Sequence, residues 1–167
     1  IDLDPNSLVA MHGAGTAKLY VLRGQRVGDE KADKLLARQV PPGTILVAHH
    51  TNNEFNDVFA KLTGVITTDG GATSHAAMNS DPLKVPCVVG AADAFEKLSQ
   101  YDGQVVTFDS GRRRIYLGTV PIVEKDLPLN IWKSDESKGD AEALKFADPH
   151  EVFERWNTLV NKRREVY

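Results

Sequence analysis

Residues 69–78 read DGGATSHAAM, with a single histidine behind two glycines and three small residues. Gly70 and Gly71 let the backbone approach a ligand closely or take positive φ, and Ala72, Thr73 and Ser74 keep the neighbouring side chains short. A phosphate fits such a cup. If Ser74 or Thr73 caps a following helix, free N–H groups and the positive dipole end face His75, where an anion gains about 1 kcal/mol. An imidazole with an ordinary pKa of about 6.5 is largely neutral near pH 7, and its lone pair can attack phosphorus. The chemistry this loop suits is a phosphohistidine on His75, cradled by Gly70, Gly71, Thr73 and Ser74. A histidine at a helix start also serves as a plain hydrogen-bonding or capping residue, and spacing alone leaves both readings open.

The elements that must position this loop follow from the flanking patterns. Residues 16–22 (TAKLYVL) and 44–48 (TILVA) carry strand formers behind Gly- and Pro-rich turns. Phe55, Val58, Phe59 and Leu62 recur at helical spacing within 54–62, and Gly64 opens the short strand 64–67. A helix from about Ser74, a strand over 87–89, a helix over 92–99 and two strands joined by a turn, 104–108 and 114–117, complete an α/β unit with a parallel-sheet pattern. Beyond Thr119, two prolines and mixed charge predict a connector with a short helix near Glu142. The last predicted element is an amphipathic helix: Asp148 can cap it, Pro149 suits its first position, and Val152, Phe153, Trp156, Leu159 and Val160 form one stripe. Lys162, Arg163 and Arg164 then fall at the negative end of its dipole. The predicted organisation is one domain over 1–118 and a connector with a C-terminal helix over 119–167.

Composition narrows the class. The 167 residues carry a net charge of −3 and are 41% hydrophobic and 26% charged, the profile of a water-soluble globular chain with one core. Scattered Lys and Arg predict no nucleic-acid partner. No run approaches the roughly 20 apolar residues that span a bilayer, so no membrane partner and a cytoplasmic location are expected. Cys87 is the single cysteine, which excludes an internal disulfide and reads as a buried, inert thiol. The chain begins at Ile1, which suggests a processed product or a piece of something longer. His12 to Lys18 (HGAGTAK) has neither the GK[ST] ending of a nucleotide-binding P-loop nor the third glycine of a dinucleotide loop. His49 and His50 are adjacent on a strand and point apart, which disfavours a shared metal. Arg112 to Arg114 read as a solvated hairpin turn, and Asp109 as a turn residue.

The run 67–90, TTDGGATSHAAMNSDPLKVPCVVG, closely resembles the signature of the phosphohistidine, or swivelling, domain of the phosphoenolpyruvate-utilising enzymes, the family of phosphoenolpyruvate synthase, pyruvate phosphate dikinase and the rifampin phosphotransferases. Gly70, Gly71, Thr73, Ser74, His75, Ala76 and Ala77 match the motif without a gap, and Pro86, Val88, Val89 and Gly90 match its closing strand. Pro42 to Ala48 and Thr51 resemble the strand and loop before it; Asp102 to Gly118 resemble its closing hairpin. The resemblance implies a three-layer β/β/α fold and a mobile phosphocarrier, with His75 passing a phosphoryl group from a nucleotide or phosphoenolpyruvate site to an acceptor. It also implies an ATP-grasp-like nucleotide-binding domain and an acceptor-substrate domain as partners. ATP and magnesium would bind there, with no cofactor and no metal held by this domain. Two departures stand out: Asp81 falls where the family has an arginine, and Pro82 should end or kink the helix. At Thr73 a regulatory phosphate is conceivable, and a capping or phosphate-binding hydroxyl is the simpler role. A non-catalytic docking module of the same fold and a standalone ligand-binding regulator are the rival readings.

Overall fold

Short runs of β-branched and aliphatic residues alternate with helix-forming segments, and that alternation sets the architecture. The computed structural model describes residues 1–126 and 162–166. The first part runs β1 (Leu8–Met11), β2 (Ala14–Val21), α1 (Glu30–Gln39), β3 (Ile45–Ala48), α2 (Asn56–Phe59), β4 (Gly64–Thr67), α3 (His75–Leu83), β5 (Cys87–Val89), α4 (Ala94–Leu98), β6 (Val105–Asp109) and β7 (Arg114–Leu117). All lie in one unit, whose continuous part is Ile1–Ile122.

The strands form one curled sheet in the order β1-β5-β4-β3-β2-β6-β7. The pairs β2–β3, β3–β4 and β4–β5 are parallel, as helical crossovers require. The expected parallel pattern is bounded on both sides by antiparallel pairs, β1–β5 at one edge and β2–β6 and β6–β7 at the other. β2 is the seam. Ala14 to Lys18 pair with β6, and Leu19 to Val21 pair with β3, so one strand serves both pairing modes.

Every residue of β3, β4 and β5 is buried, as expected for strands covered on both faces. Leu46, Val65 and Cys87 face one cluster with Phe55, Phe59 and Ala76; Ile45, Ile66 and Val88 face the other with Leu98, Phe108 and Ile115. Each fully buried aliphatic or aromatic side chain of this kind contributes about 1.5–3 kcal/mol. Where the sheet curls, the Phe108 ring lies directly over β4, and a Cβ on Gly64 would sit 2.5 Å from its Cδ2. The glycines of HGAGTAK have packing roles of the same kind: a Cβ would meet Pro86 Cγ at 2.7 Å from Gly13 and Thr63 Cγ2 at 2.5 Å from Gly15.

Several expected elements are corrected. Neither β1 nor α1 shows in the sequence pattern. α1 (EKADKLLARQ) is mostly charged and buries only Asp33 and Ala37, but Asp29 caps it through a 3.0 Å bond from Ala32 N–H. The helix expected over 54–62 is a 3₁₀ turn, Asn53–Phe55, followed by the single turn of α2. Arg113 and Arg114 are more than a solvated face: Arg113 Nε donates to Ser7 O at 3.0 Å and Arg114 Nε to Asp2 Oδ1 at 2.6 Å, which ties down the N-terminal segment.

Lys162, Arg163 and Arg164 do not end a helix. Lys162–Val166 is a strand, β9, and with β8 (Ile122–Asp126) it makes a two-stranded sheet, where a partner strand and not a helix ladder takes up its backbone groups. The body of the expected helix, including Asp148 and the stripe from Val152 to Val160, and the short helix near Glu142 lie outside the described residues. No helix among the described residues is long and apolar enough to cross a membrane.

Gly64→Ala is expected to lower stability by about 1–3 kcal/mol, since the new methyl must displace a buried ring. Gly71→Ala, where a Cβ meets nothing within 4 Å, should lose no stability. Urea unfolding of the two variants beside the parent checks both.

Candidate functional site

The site grows from the C-terminal ends of the adjacent strands β3 and β4. Thr68 N–H donates to Ala48 O at 3.0 Å and Asp69 N–H to His49 O at 2.9 Å, which extends the pairing just past the strands and aims the next residues away from the sheet. Gly70 then takes φ +97°, and a Cβ there would lie 2.8 Å from Ser74 Cβ, so this position needs glycine twice over. Gly71 is in ordinary backbone territory with open space around it.

Ser74 is the N-cap of α3. Its Oγ accepts from Ala77 N–H at 3.4 Å and donates to Gly71 O at 2.8 Å, closing the glycine loop onto the helix start. The first amides of α3, those of His75 and Ala76, have no intrahelical carbonyl to bond and lie at the positive end of its dipole. Gly70, Gly71, Thr73, Ser74 and His75 are thus brought together in one turn, with Thr73 exposed beside the cap.

His75 is half-buried and gripped from two sides. Thr51, only 6% exposed, places Oγ1 at 2.8 Å from Nδ1; Asn56, on the exposed side, places Oδ1 at 2.7 Å from Nε2. The edge of Phe59 closes the ring's inner flank, with centroids 6.0 Å apart and planes at 87°. With Asn56 Oδ1 as acceptor, Nε2–H donates outward and Nδ1 accepts from the Thr51 hydroxyl. A half-turn of the Asn56 amide suits the other tautomer, in which Nδ1–H donates to Thr51 and Nε2 carries the lone pair. Asn79 Nδ2 also donates to His75 O at 2.7 Å, steadying the first turn of α3. Burial holds the imidazole below its ordinary pKa of 6.5, and the helix dipole acts in the same sense.

Thr51 was identified only through its family resemblance, and Asn56 not at all. The signal for Asn56 is its place at the start of α2, opposite the β4–α3 loop, a relation that exists only once β3 and β4 pair. His49 and His50 do point apart: His49 stacks on Phe95 at 4.2 Å and meets Thr68 Oγ1 at 2.8 Å, whereas His50 Nε2 donates to Asp33 Oδ2 at 2.9 Å. Among the described residues no three His, Cys, Asp or Glu side chains are grouped to hold a metal ion. Cys87 is fully buried in β5, its thiol pushed up to about 12 by burial, against a small opposing contribution from a Ser80 hydrogen bond. Pro82 lies in the last turn of α3, which ends one residue later with Lys84 in the left-handed region at φ 57°. Asp81 is exposed, 3.8 Å from Lys84, and stands six residues and about 9 Å along the axis from His75.

Residues 40–113 match the family model described as PEP-utilising enzyme, mobile domain. The match is confined to that stretch, less than half of the chain. Similar proteins include a pyruvate kinase of Lactobacillus delbrueckii subsp. bulgaricus, 37% identical over 115 residues, and a phosphoenolpyruvate synthase of Pyrococcus furiosus, 36% identical over 102 residues. These matches cover 69% and 61% of the chain but only 18% and 11% of the relatives, so the chain spans less than a fifth of their length. Among solved structures, an Enzyme I protein studied by NMR superposes with a TM-score of 0.39 at 20% identity, covering 62% of this chain and 40% of that one.

Two outcomes are expected. A depressed His75 pKa means the folded chain binds fewer protons there than the unfolded chain between the folded value and 6.5. The stability supplied by the neutral ring is complete above pH 6.5 and is lost as pH falls through the folded pKa. The urea midpoint of the parent relative to His75→Gln should therefore decline from pH 7.5 to 5, and NMR titration of the ring should give a midpoint below 6.5. For Cys87, reaction with a maleimide at pH 8 should proceed no faster than global unfolding; rapid labelling of the native chain would contradict its burial.

Proposed function

We propose that this mobile domain is a phosphocarrier in which Nε2 of His75 receives a phosphoryl group and hands it on. The observation that carries this reading is the two-sided hold on the ring: Nδ1 faces buried Thr51, and Nε2 faces the exposed side where a donor can approach. In the productive tautomer Nδ1–H stays bonded to Thr51 Oγ1 while the Nε2 lone pair forms the N–P bond. The P–O bond to the leaving group breaks and its electron pair leaves with that oxygen. The positive charge arising on the ring is shared with the Thr51 hydrogen bond. The amides at the start of α3, with the turn of Gly70, Gly71, Thr73 and Ser74, supply donors to the transferred group's oxygens. Transfer onward reverses these steps at a second site.

In this reading the fold is the three-layer β/β/α swivelling domain, with β6 and β7 folded over the main sheet, and the domain moves between partners. The donor is ATP or phosphoenolpyruvate held, with magnesium, on an ATP-grasp-like or equivalent domain, and an acceptor domain takes the phosphoryl group. Such donors are cytoplasmic, which puts the chain there. Met78 is 64% exposed one turn beyond His75, on the same side of α3, and gives the docking partner an apolar contact next to the reactive nitrogen. Asp81 and Pro82 lie at the far end of α3 and do not reach the ring.

Incubation of the chain with its nucleotide-binding or phosphoenolpyruvate-dependent partner and labelled donor should give an acid-labile, alkali-stable label, absent in His75→Ala. Substituting Thr51→Val should slow labelling by about 10–100-fold, because one ring nitrogen loses its hold. A partner that is demonstrably active yet leaves the parent chain unlabelled would point instead to a docking module of the same fold.

A further inference from the structure

The two side chains that hold the His75 ring both hang from one short segment after β3, and that segment is clamped by a buried carboxylate that the chemistry does not use. Asp33, 1% exposed in the first turn of α1, accepts from His50 Nε2 at 2.9 Å and from Asn52 Nδ2 at 2.8 Å through Oδ2, and from Gln25 Nε2 at 3.2 Å through Oδ1. His50 and Asn52 are the immediate neighbours of Thr51 on either side. Gln25 completes the grip on the backbone, accepting from His49 N–H at 2.8 Å and donating to His50 O at 2.9 Å. Asn52 in turn caps the 3₁₀ turn through a 3.0 Å bond from Glu54 N–H, and that turn leads directly into Asn56.

We propose that Asp33 is a positioning residue for His75: by fixing His50 and Asn52 it sets the place of Thr51, and through the capped turn that of Asn56, and so dictates which way the ring nitrogens face. A buried carboxylate is costly to hold away from water unless its lone pairs are taken up, and here three side-chain donors take them up, two of them on the loop that needs fixing. Charge-assisted bonds make this a stiffer anchor than the exposed loop could build from its own residues. α1 then has a purpose its thin apolar stripe does not explain: it delivers the carboxylate.

This inference rests on the phosphocarrier reading for its consequence, but its test separates the two. In Asp33→Ala the ring of His75, followed by nitrogen-15 NMR, should titrate nearer 6.5 and show the tautomer mixture of a solvated imidazole, and the labelling rate should fall by about 10–100-fold. Leu98→Ala, in the cluster on the opposite face of the sheet, serves as a control for general loss of stability and should leave the ring spectrum unchanged. Asp33→Asn keeps one acceptor oxygen for His50 and Asn52, so it should restore part of the parent behaviour, and it replaces Asp33→Ala should that variant not fold. Ring resonances in the Asp33 variants that match the parent, or that shift equally in Leu98→Ala, overturn the proposal whether or not the chain can be labelled. An altered ring with the parent chain unlabelled upholds the positioning role and removes only the carrier reading.

Discussion

His75 is held at both ring nitrogens, Nδ1 by buried Thr51 at 2.8 Å and Nε2 by exposed Asn56 at 2.7 Å, and the proposed carrier role requires the outer of these contacts to yield to a donor. Without Thr51 only the Asn56 contact and the edge of Phe59 would restrain the ring. With it Nδ1 is turned inward and Nε2 outward, while the Thr51 hydroxyl, able to donate or to accept, serves either tautomer. Thr51 can do this because it is almost fully buried yet keeps its hydroxyl on the site side. The requirement therefore passes from the ring to the loop after β3.

That loop meets the β4–α3 loop because β3 and β4 are neighbouring parallel strands in register, Ala48 beside Thr67, so both chains leave the sheet at one edge. In parallel sheets loops converge at the carboxyl ends of the strands, and here the loops after two adjacent strands meet around His75. The pairing in turn relies on dry faces. β3, β4 and β5 are sealed by helices on one side and by Phe108, Ile115 and Leu98 on the other, and the close approach of Phe108 depends on Gly64 having no side chain. Gly64 opens the same strand, Gly64–Thr67, from whose far end the loop to His75 departs.

What was readable from the amino-acid order follows the range of the forces involved. Local rules place β4 and β5 on their residues, the Ser74 cap, the turn at Gly70 and the burial of Cys87, since each depends on neighbours a few positions away. β1 was missed because an edge strand of four residues with partly exposed side chains has no clear alternation. α1 was missed because its inward face holds Ala37 and a charged residue, Asp33, where periodicity looks for aliphatics. The strand over Lys162–Val166 ran against a dipole argument that treated the end of the chain as a helix by itself, whereas pairing with β8 is a long-range term no local rule contains. The partners of His75 belong to the same class: Thr51 is 24 residues away and Asn56 is 19.

Half-burial of His75 reconciles two demands that oppose each other. A ring fully in water would be protonated more readily and would have no fixed partner, while one sealed inside would keep a lone pair that no donor could reach. At this position burial lowers the proton affinity and Phe59 and Thr51 cover the inner flank, while Nε2 meets exposed Asn56 on the outer side. In the proposed carrier role, lower basicity would weaken the nitrogen as a nucleophile but would also make the ring a better leaving group when a phosphoryl group moves on. The proposed role, which requires both acceptance and release, is served by a nitrogen poised between the two, and half-burial of the ring at the first turn of α3 supplies that compromise.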